Sequence, residues 1–205
     1  RSRPTESAWT PMASHSPGVD SYKAFAHGLA EAPGRAVLQV RSPDGWVFDA
    51  MGSTFADDDI GLPMQYGGVV YTYDTTSVYA YAPTESNSEH ELLGRAIWVG
   101  DGWAAGWAAM DSTTCDVRAR AWRTATLSAP LWDSGWVAMS SQAGEDSFRE
   151  VSIGAPFSAL SPAAYVSVLV RSTGSTVLYA PASGAAMRDE TYGQWHAYGG
   201  LVAAH

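Results

Sequence analysis

The sequence predicts an all-β protein: two tandem antiparallel β-sandwich modules, the second incomplete in this chain. Three observations carry that expectation. The chain nearly repeats itself, short runs of alternating apolar and polar residues recur between Gly, Pro, Asp and Ser turns, and no stretch holds a 3.6-residue apolar period beyond two turns without an interrupting Gly or Pro.

The repeat is read from matched anchors. Trp9-x-x-Met12-x-Ser14, then Asp20-Ser21-Tyr22-Lys23, returns as Trp136-x-x-Met139-x-Ser141, then Asp146-Ser147-Phe148-Arg149. Val40-Arg41-Ser42 returns as Val170-Arg171-Ser172, and Tyr66-Gly67-Gly68 returns as Tyr198-Gly199-Gly200. The offset is 127 residues at Trp9, 130 at Val40 and 132 at Tyr66, a register held over a whole domain. The boundaries expected from it are 7–122 for the first module, 123–133 for a linker containing Pro130, and 134–205 for the second, partial module. A sandwich without the strands equivalent to Ser77 through Trp122 would leave a core face and strand edges open. The expectation is therefore a piece of a longer repeat array, or an open sheet completed by another chain through strand addition.

The elements follow in order. Ala36–Arg41 and Trp46–Ala50 read as strands joined by a Pro43-Asp44-Gly45 turn, hence a hairpin. Gly68–Tyr73 and Ser77–Tyr81, separated by Asp74-Thr75-Thr76, form a second hairpin whose alternating aromatics should stack across strands. Arg95–Val99 precedes the Gly100-Asp101-Gly102 turn, and Thr114–Trp122 alternates over nine residues, which predicts one packed and one wet face. Tyr165–Val170 and Thr176–Tyr179 reproduce the first hairpin. Trp9, Trp122 and Trp136, sitting in the repeated framework, are expected in the core, and Gly67-Gly68 marks a bulge or a tight backbone approach.

Composition narrows the function classes. The 205 residues include 20 Gly, 11 Pro, 9 Trp and 10 Tyr, with 46% hydrophobic and 16% charged residues, a folded and turn-rich composition. A net charge of −9 with scattered Lys and Arg offers no basic stripe, so nucleic acid is not an expected partner. No apolar run approaches the roughly 20 residues that span a bilayer, so the chain is not expected to be membrane-spanning. Arg1-Ser2-Arg3-Pro4 has no signal-peptide apolar region, which reads as a processed or excised segment. The single cysteine, Cys115, cannot form an intrachain bridge and is expected as a small buried hydrophobe.

Few constellations suggest chemistry. Asp57, Asp58 and Asp59 form an acidic loop that could supply the oxygen ligands calcium wants, although the spacing is not that of an EF-hand; calcium is the one cofactor considered. His15, His27, His90, His196 and His205 form no zinc pattern, and no serine lies in a Gly-x-Ser-x-Gly elbow, so the protein is not expected to be an enzyme. The candidate ligand-binding residues are aromatic and polar: Trp103 and Trp107 around Asp101, and Trp195 beside His196. Flat rings next to hydrogen-bonding groups suit the C–H faces and hydroxyls of sugars, and equally suit protein interfaces.

Gly135-Trp136, Asp146 through Gly154, Pro156-Phe157, Pro162 and Tyr165–Val170 resemble the opening half of an H-type lectin domain. Both copies are also similar to tandem extracellular repeats of protists and invertebrates marked by His27-Gly28-Leu29, an acidic stretch, Tyr66-Gly67-Gly68-Val69-Val70 and Val117-Arg118-Ala119-Arg120-Ala121-Trp122. The lectin resemblance implies a small antiparallel sandwich that often trimerises, binds N-acetylgalactosamine-like sugars and uses a Trp-His pair. Trp195-His196 matches that pair by residue type but precedes Tyr198-Gly199-Gly200, where the family's pair follows the strand. The function expected is that of a non-enzymatic, extracellular or cell-surface protein whose lectin-like repeats bind glycans. The competing expectation is a structural repeat of a filament, coat or matrix, assembling with neighbouring protomers through strand addition and aromatic contacts.

Overall fold

The computed structural model describes residues 3–14, 20–50, 65–84, 86–87, 92–99, 110–127, 133–140, 147–151 and 167–182. These are all-β, with two five-stranded sheets and a short 3-10 turn at Thr124–Thr126. By contacts the chain divides into Arg1–Leu127 with Ser167–His205, and Ser128–Val166.

In the first unit, alternation decides everything about β13, Thr114–Trp122. Cys115, Val117, Ala119 and Ala121 are buried, while Asp116, Arg118, Arg120 and Trp122 between them face outward. Along one edge β13 pairs antiparallel with β4 (Arg35–Arg41) over seven residues, from Asp116↔Arg41 to Trp122↔Arg35. Along the other it pairs with β2 (Thr10–Ala13) and β1 (Thr5–Glu6). The sheet ends at β5 (Val47–Asp49), joined to β4 by the expected hairpin. Gly45 there takes φ +89° and donates its N–H to Ser42 O at 2.9 Å, as the Asp-Gly turn requires.

The second sheet runs β14-β15-β7-β8-β3, with β3 at Tyr22–Ala26, β7 at Val70–Tyr73, β8 at Ser77–Tyr81, β14 at Leu169–Arg171 and β15 at Tyr179–Pro181. Leu38, Val40 and Val117 of the first sheet and Tyr73, Val78 and Ala80 of the second belong to one buried cluster. Tyr71 ties the layers polarly, its hydroxyl donating to Ala36 O at 3.0 Å. The hairpin of the second sequence copy thus extends the sheet of the first: β15 pairs with β7 at Tyr179↔Tyr73, and the two rings stack at 5.5 Å and 20°. Burial, and then Tyr179, push the Tyr73 phenol up to about 12. Pro181 stands where the next β15 N–H would reach β7, so the ladder stops after one pair.

Smaller sheets join β6 (Gln65–Gly67), β9 (Ser86–Asn87) and β10 (Leu92–Arg95), and β11 (Ile97–Val99) with β12 (Met110–Ser112). The β6–β10 pair is parallel, a departure from the purely antiparallel expectation. It accounts for Gly67-Gly68 as a tight approach: a Cβ on Gly67, at φ +154°, would stand 2.0 Å from Arg95 O, to which the Gly68 N–H donates at 2.9 Å.

In the second unit, 133–140 and 148–151 carry no regular secondary structure, and Arg149 Nε donates to Ala138 O at 3.2 Å. The expectation of a core Trp136 fails here: it is 51% exposed, and Met139 is 41% exposed where its counterpart Met12 is 2%. Trp9 and Trp122 are likewise not core, being half-buried on the outer face of the first sheet. For Trp122 the cause is phase, since it shares the outward register of Arg118 and Arg120.

Candidate functional site

The residues picked from the sequence as ligand or metal groups, Asp57, Asp58, Asp59, Asp101, Trp103, Trp107, Trp195 and His196, lie outside the described residues. Among the described residues no three His, Cys, Asp or Glu side chains are grouped to hold a metal, and no helix is long and apolar enough to cross a membrane. A crevice lined by Thr5, Ser7, Phe25, Ala26, His27, Ala119 and Ala121 has about 10 Å³ of space, at most one water. Among its described residues the first unit offers two sheet faces that carry aromatic rings.

The first is aromatic. Register puts Tyr22 of β3 opposite Tyr81 of β8, and Ala24 opposite Tyr79. On the other side of β8, Val70 faces Tyr81 and Thr72 faces Tyr79, so Tyr71 and Tyr73 fall in the opposite phase and point inward. The stacking expected within the β7–β8 hairpin therefore does not occur. The partner comes from β3 instead, Tyr22 lying 6.3 Å from Tyr79 at 14° and 5.5 Å from Tyr81 at 46°. Small Ala24 and Ala26 beside the rings leave the face open.

Hydroxyl bonds fix the two β8 rings. Tyr79 donates to Asp74 Oδ2 at 2.8 Å, and Tyr81 Oη and Thr72 Oγ1 share a hydrogen bond at 3.1 Å. Asp74 Oδ1 accepts from the Thr76 N–H at 2.7 Å, the Thr76 hydroxyl at 2.8 Å and the Ser77 N–H at 2.9 Å. Burial alone would raise the Asp74 pKa, but the bonds from Thr76, Ser77 and Tyr79 outweigh it and hold the carboxyl below its usual value. The Tyr22 ring, 43% exposed, caps the cluster. Burial, then Tyr81, Tyr79 and Asp74, raise its phenol above the ordinary value, so it remains a neutral donor at physiological pH.

Behind this face His27 is 5% exposed and locks the turn. Its Nδ1 accepts the Leu29 N–H at 3.1 Å, which leaves the proton on Nε2 to donate to Asp74 O at 3.2 Å. Gly28 and Ala30 at φ +64° and +59° bend the chain around it. The His27-Gly28-Leu29 motif is thus a brace between β3 and the β7–β8 turn.

The second face carries alternating guanidiniums and indoles. Arg41 and Arg118 stand over the Trp9 ring at 4.6 and 4.5 Å, and Arg35 and Arg120 over Trp122 at 5.5 Å each. Arg118 donates to Gln39 Oε1 at 3.0 Å and to Glu6 Oε1 at 2.7 Å, and Arg41 Nε donates to Asp116 Oδ2 at 3.1 Å. Arg120 Nε lies 2.8 Å from Glu6 Oε2 as an ion pair, although its N–H does not point at that oxygen. These indoles are already engaged by cations, which makes the tyrosine face the better stacking surface.

The sequence marks Tyr79 and Tyr81 as hairpin aromatics and Tyr22 only as an anchor of the repeat. The available signal was the Ser77-Val-Tyr-Ala-Tyr81 alternation, which puts Val78 and Ala80 inside at 0% exposure and the tyrosines outside. No family model matches the chain, and no curated protein matches it.

Proposed function

We propose that the chain is a non-enzymatic, extracellular or cell-surface protein with lectin-like repeats, and that it binds glycans on the Tyr22, Tyr79 and Tyr81 face. The observation that carries this reading is the three-ring cluster itself: Tyr22 stacked at 14° on Tyr79, with the Tyr79 and Tyr81 hydroxyls held by Asp74 and Thr72. Rings fixed this way lose little entropy on binding and present C–H-stacking surface beside hydroxyl groups. The flat face suits an extended saccharide better than an enclosed small molecule.

A glycan array followed by titration calorimetry on the best ligand tests it. Tyr22→Ala should weaken binding about tenfold or more and lower the melting temperature only modestly, because the ring packs on Tyr79 and Tyr81 at the surface and fills no part of the core. Trp103→Ala and Trp195→Ala, measured in parallel, ask whether the indoles picked from the sequence share the ligand. A folded protein that binds nothing on the array, or binding indifferent to Tyr22→Ala, counts against this face.

A further inference from the structure

The hairpins β4–β5 and β14–β15 are built alike. The Ser42 N–H donates to Trp46 O at 2.9 Å and its hydroxyl accepts the Trp46 N–H at 3.1 Å; the Ser172 N–H donates to Leu178 O at 2.9 Å and its hydroxyl accepts the Leu178 N–H at 3.0 Å. At the far ends Ala50 donates to Leu38 O and Ala182 to Val168 O. The turn of the second hairpin is two residues longer, which is the step from 130 to 132 in the sequence offset. A shift of two preserves every side-chain face, so Leu38 and Val40 correspond to Val168 and Val170.

The difference lies at the other edge. β4 gives that edge to β13 over seven residues, whereas the same edge of β14 has no strand against it among the described residues. The bonds of Ser172 and Val168 turn the even-numbered residues of β14 toward β15, so Leu169 directs its backbone N–H and C=O to the open side. The apolar stripe is uncovered too. Leu38 and Val40 are 0% and 1% exposed, while Val168 is half-buried and Val170 is 36% exposed.

We infer that the outer edge of β14 is an acceptor site for a β13-type strand supplied by another repeat unit, one alternating small apolar with charged residues and closing on Trp. The register is set by the first copy, where Val117 lies opposite Val40 and Asp116 opposite Arg41. A strand seated likewise would place a Val against Val170 and an Asp against Arg171. It would continue the apolar stripe and pair the Leu169 backbone by β-augmentation. No tyrosine of the aromatic face takes part, so the inference stands or falls apart from glycan binding.

The probe is a fluorescein-labelled Thr113–Arg123 peptide carrying Cys115→Ser, titrated with the 205-residue chain and read by anisotropy. In the first copy the backbone of Arg118 faces β4, while Ala119 faces β1, its N–H donating to Ser7 Oγ at 2.9 Å. The expected result is saturable binding that N-methylation at Arg118 weakens about tenfold and N-methylation at Ala119 spares. On the protein, Leu169→Pro should abolish binding with the far-ultraviolet spectrum kept, since that N–H is outside the β14–β15 ladder. Val47→Pro, on the side of β5 that has no strand against it among the described residues, should leave binding intact. No binding by the unmodified peptide, equal effects of the two N-methyl groups, or loss with Val47→Pro but not Leu169→Pro would overturn the inference. The two N-methylated peptides still discriminate where Leu169→Pro unfolds the hairpin, because they are titrated against the parent protein.

Discussion

The Tyr79 hydroxyl donates to Asp74 Oδ2 at 2.8 Å, so the turn joining β7 to β8 and the aromatic face share one carboxylate. That sharing fixes a pH dependence. The Asp74 pKa is lower in the folded chain than its ordinary value of 3.8, so its stabilising effect is fully present above that value and is lost as pH falls through the folded pKa. Asp74→Asn should be less stable than the parent at pH 7 by about 1 kcal/mol, the worth of a charge-assisted bond at a part-exposed site. The gap should close below the carboxylate range. Urea unfolding of both proteins at pH 7 and pH 3 checks this, and an undiminished gap at pH 3 would remove the carboxylate from the explanation.

His27 should occupy a single tautomer. With the Leu29 N–H on Nδ1, the ring proton must sit on Nε2 to reach Asp74 O. Long-range proton–nitrogen correlation spectra should show Nε2 protonated at neutral pH. His27→Ala should destabilise by about 2–3 kcal/mol, because it orphans a buried N–H and a carbonyl together. A ring protonated on Nδ1 is incompatible with this brace.

Two glycines separate conformational from steric demands. Gly45 needs a left-handed turn but has nothing within 4 Å of an added Cβ, whereas Gly67 combines φ +154° with a Cβ position 2.0 Å from a backbone oxygen. Gly45→Ala should therefore destabilise by about 1 kcal/mol and Gly67→Ala by several, roughly 3 or more. Thermal melts of the two variants rank them, and a harmless Gly67→Ala would mean that β6 and β10 do not lie so close.

The same contrast shows what the sequence makes legible. In Thr114–Trp122 the charges of Asp116, Arg118 and Arg120 already mark the wet phase, and Trp122 belongs to that phase by parity alone. Expecting Trp122 in the core weighed ring size above register, and cation–π contact with Arg35 and Arg120 shows how a large indole is satisfied outside. The Tyr22 cluster was hidden for another reason. It joins β3 to β8 across more than fifty residues, and local alternation cannot say which distant strand becomes a neighbour. The Ser42 and Ser172 hairpins lie at the other extreme: their chemistry is local, so the Val-Arg-Ser repeat announced it.

Cys115 provides the last test. Its side chain is 6% exposed, and burial, with Asp116 adjacent, pushes the thiol up to about 12 from an ordinary 9.0. Native protein at pH 8 should leave a thiol reagent such as Ellman's unreacted, with one equivalent released on denaturation. Because the folded pKa is raised, the stabilisation linked to this group is complete below about pH 9 and is lost as pH rises toward 12. Cys115→Ala removes that group, so its stability should fall less steeply than the parent's between about pH 9 and 10.5. Parallel slopes for the two proteins, or fast labelling of the native thiol, would show that β13 opens at Cys115 far more readily than its pairing with Met12 of β2 implies.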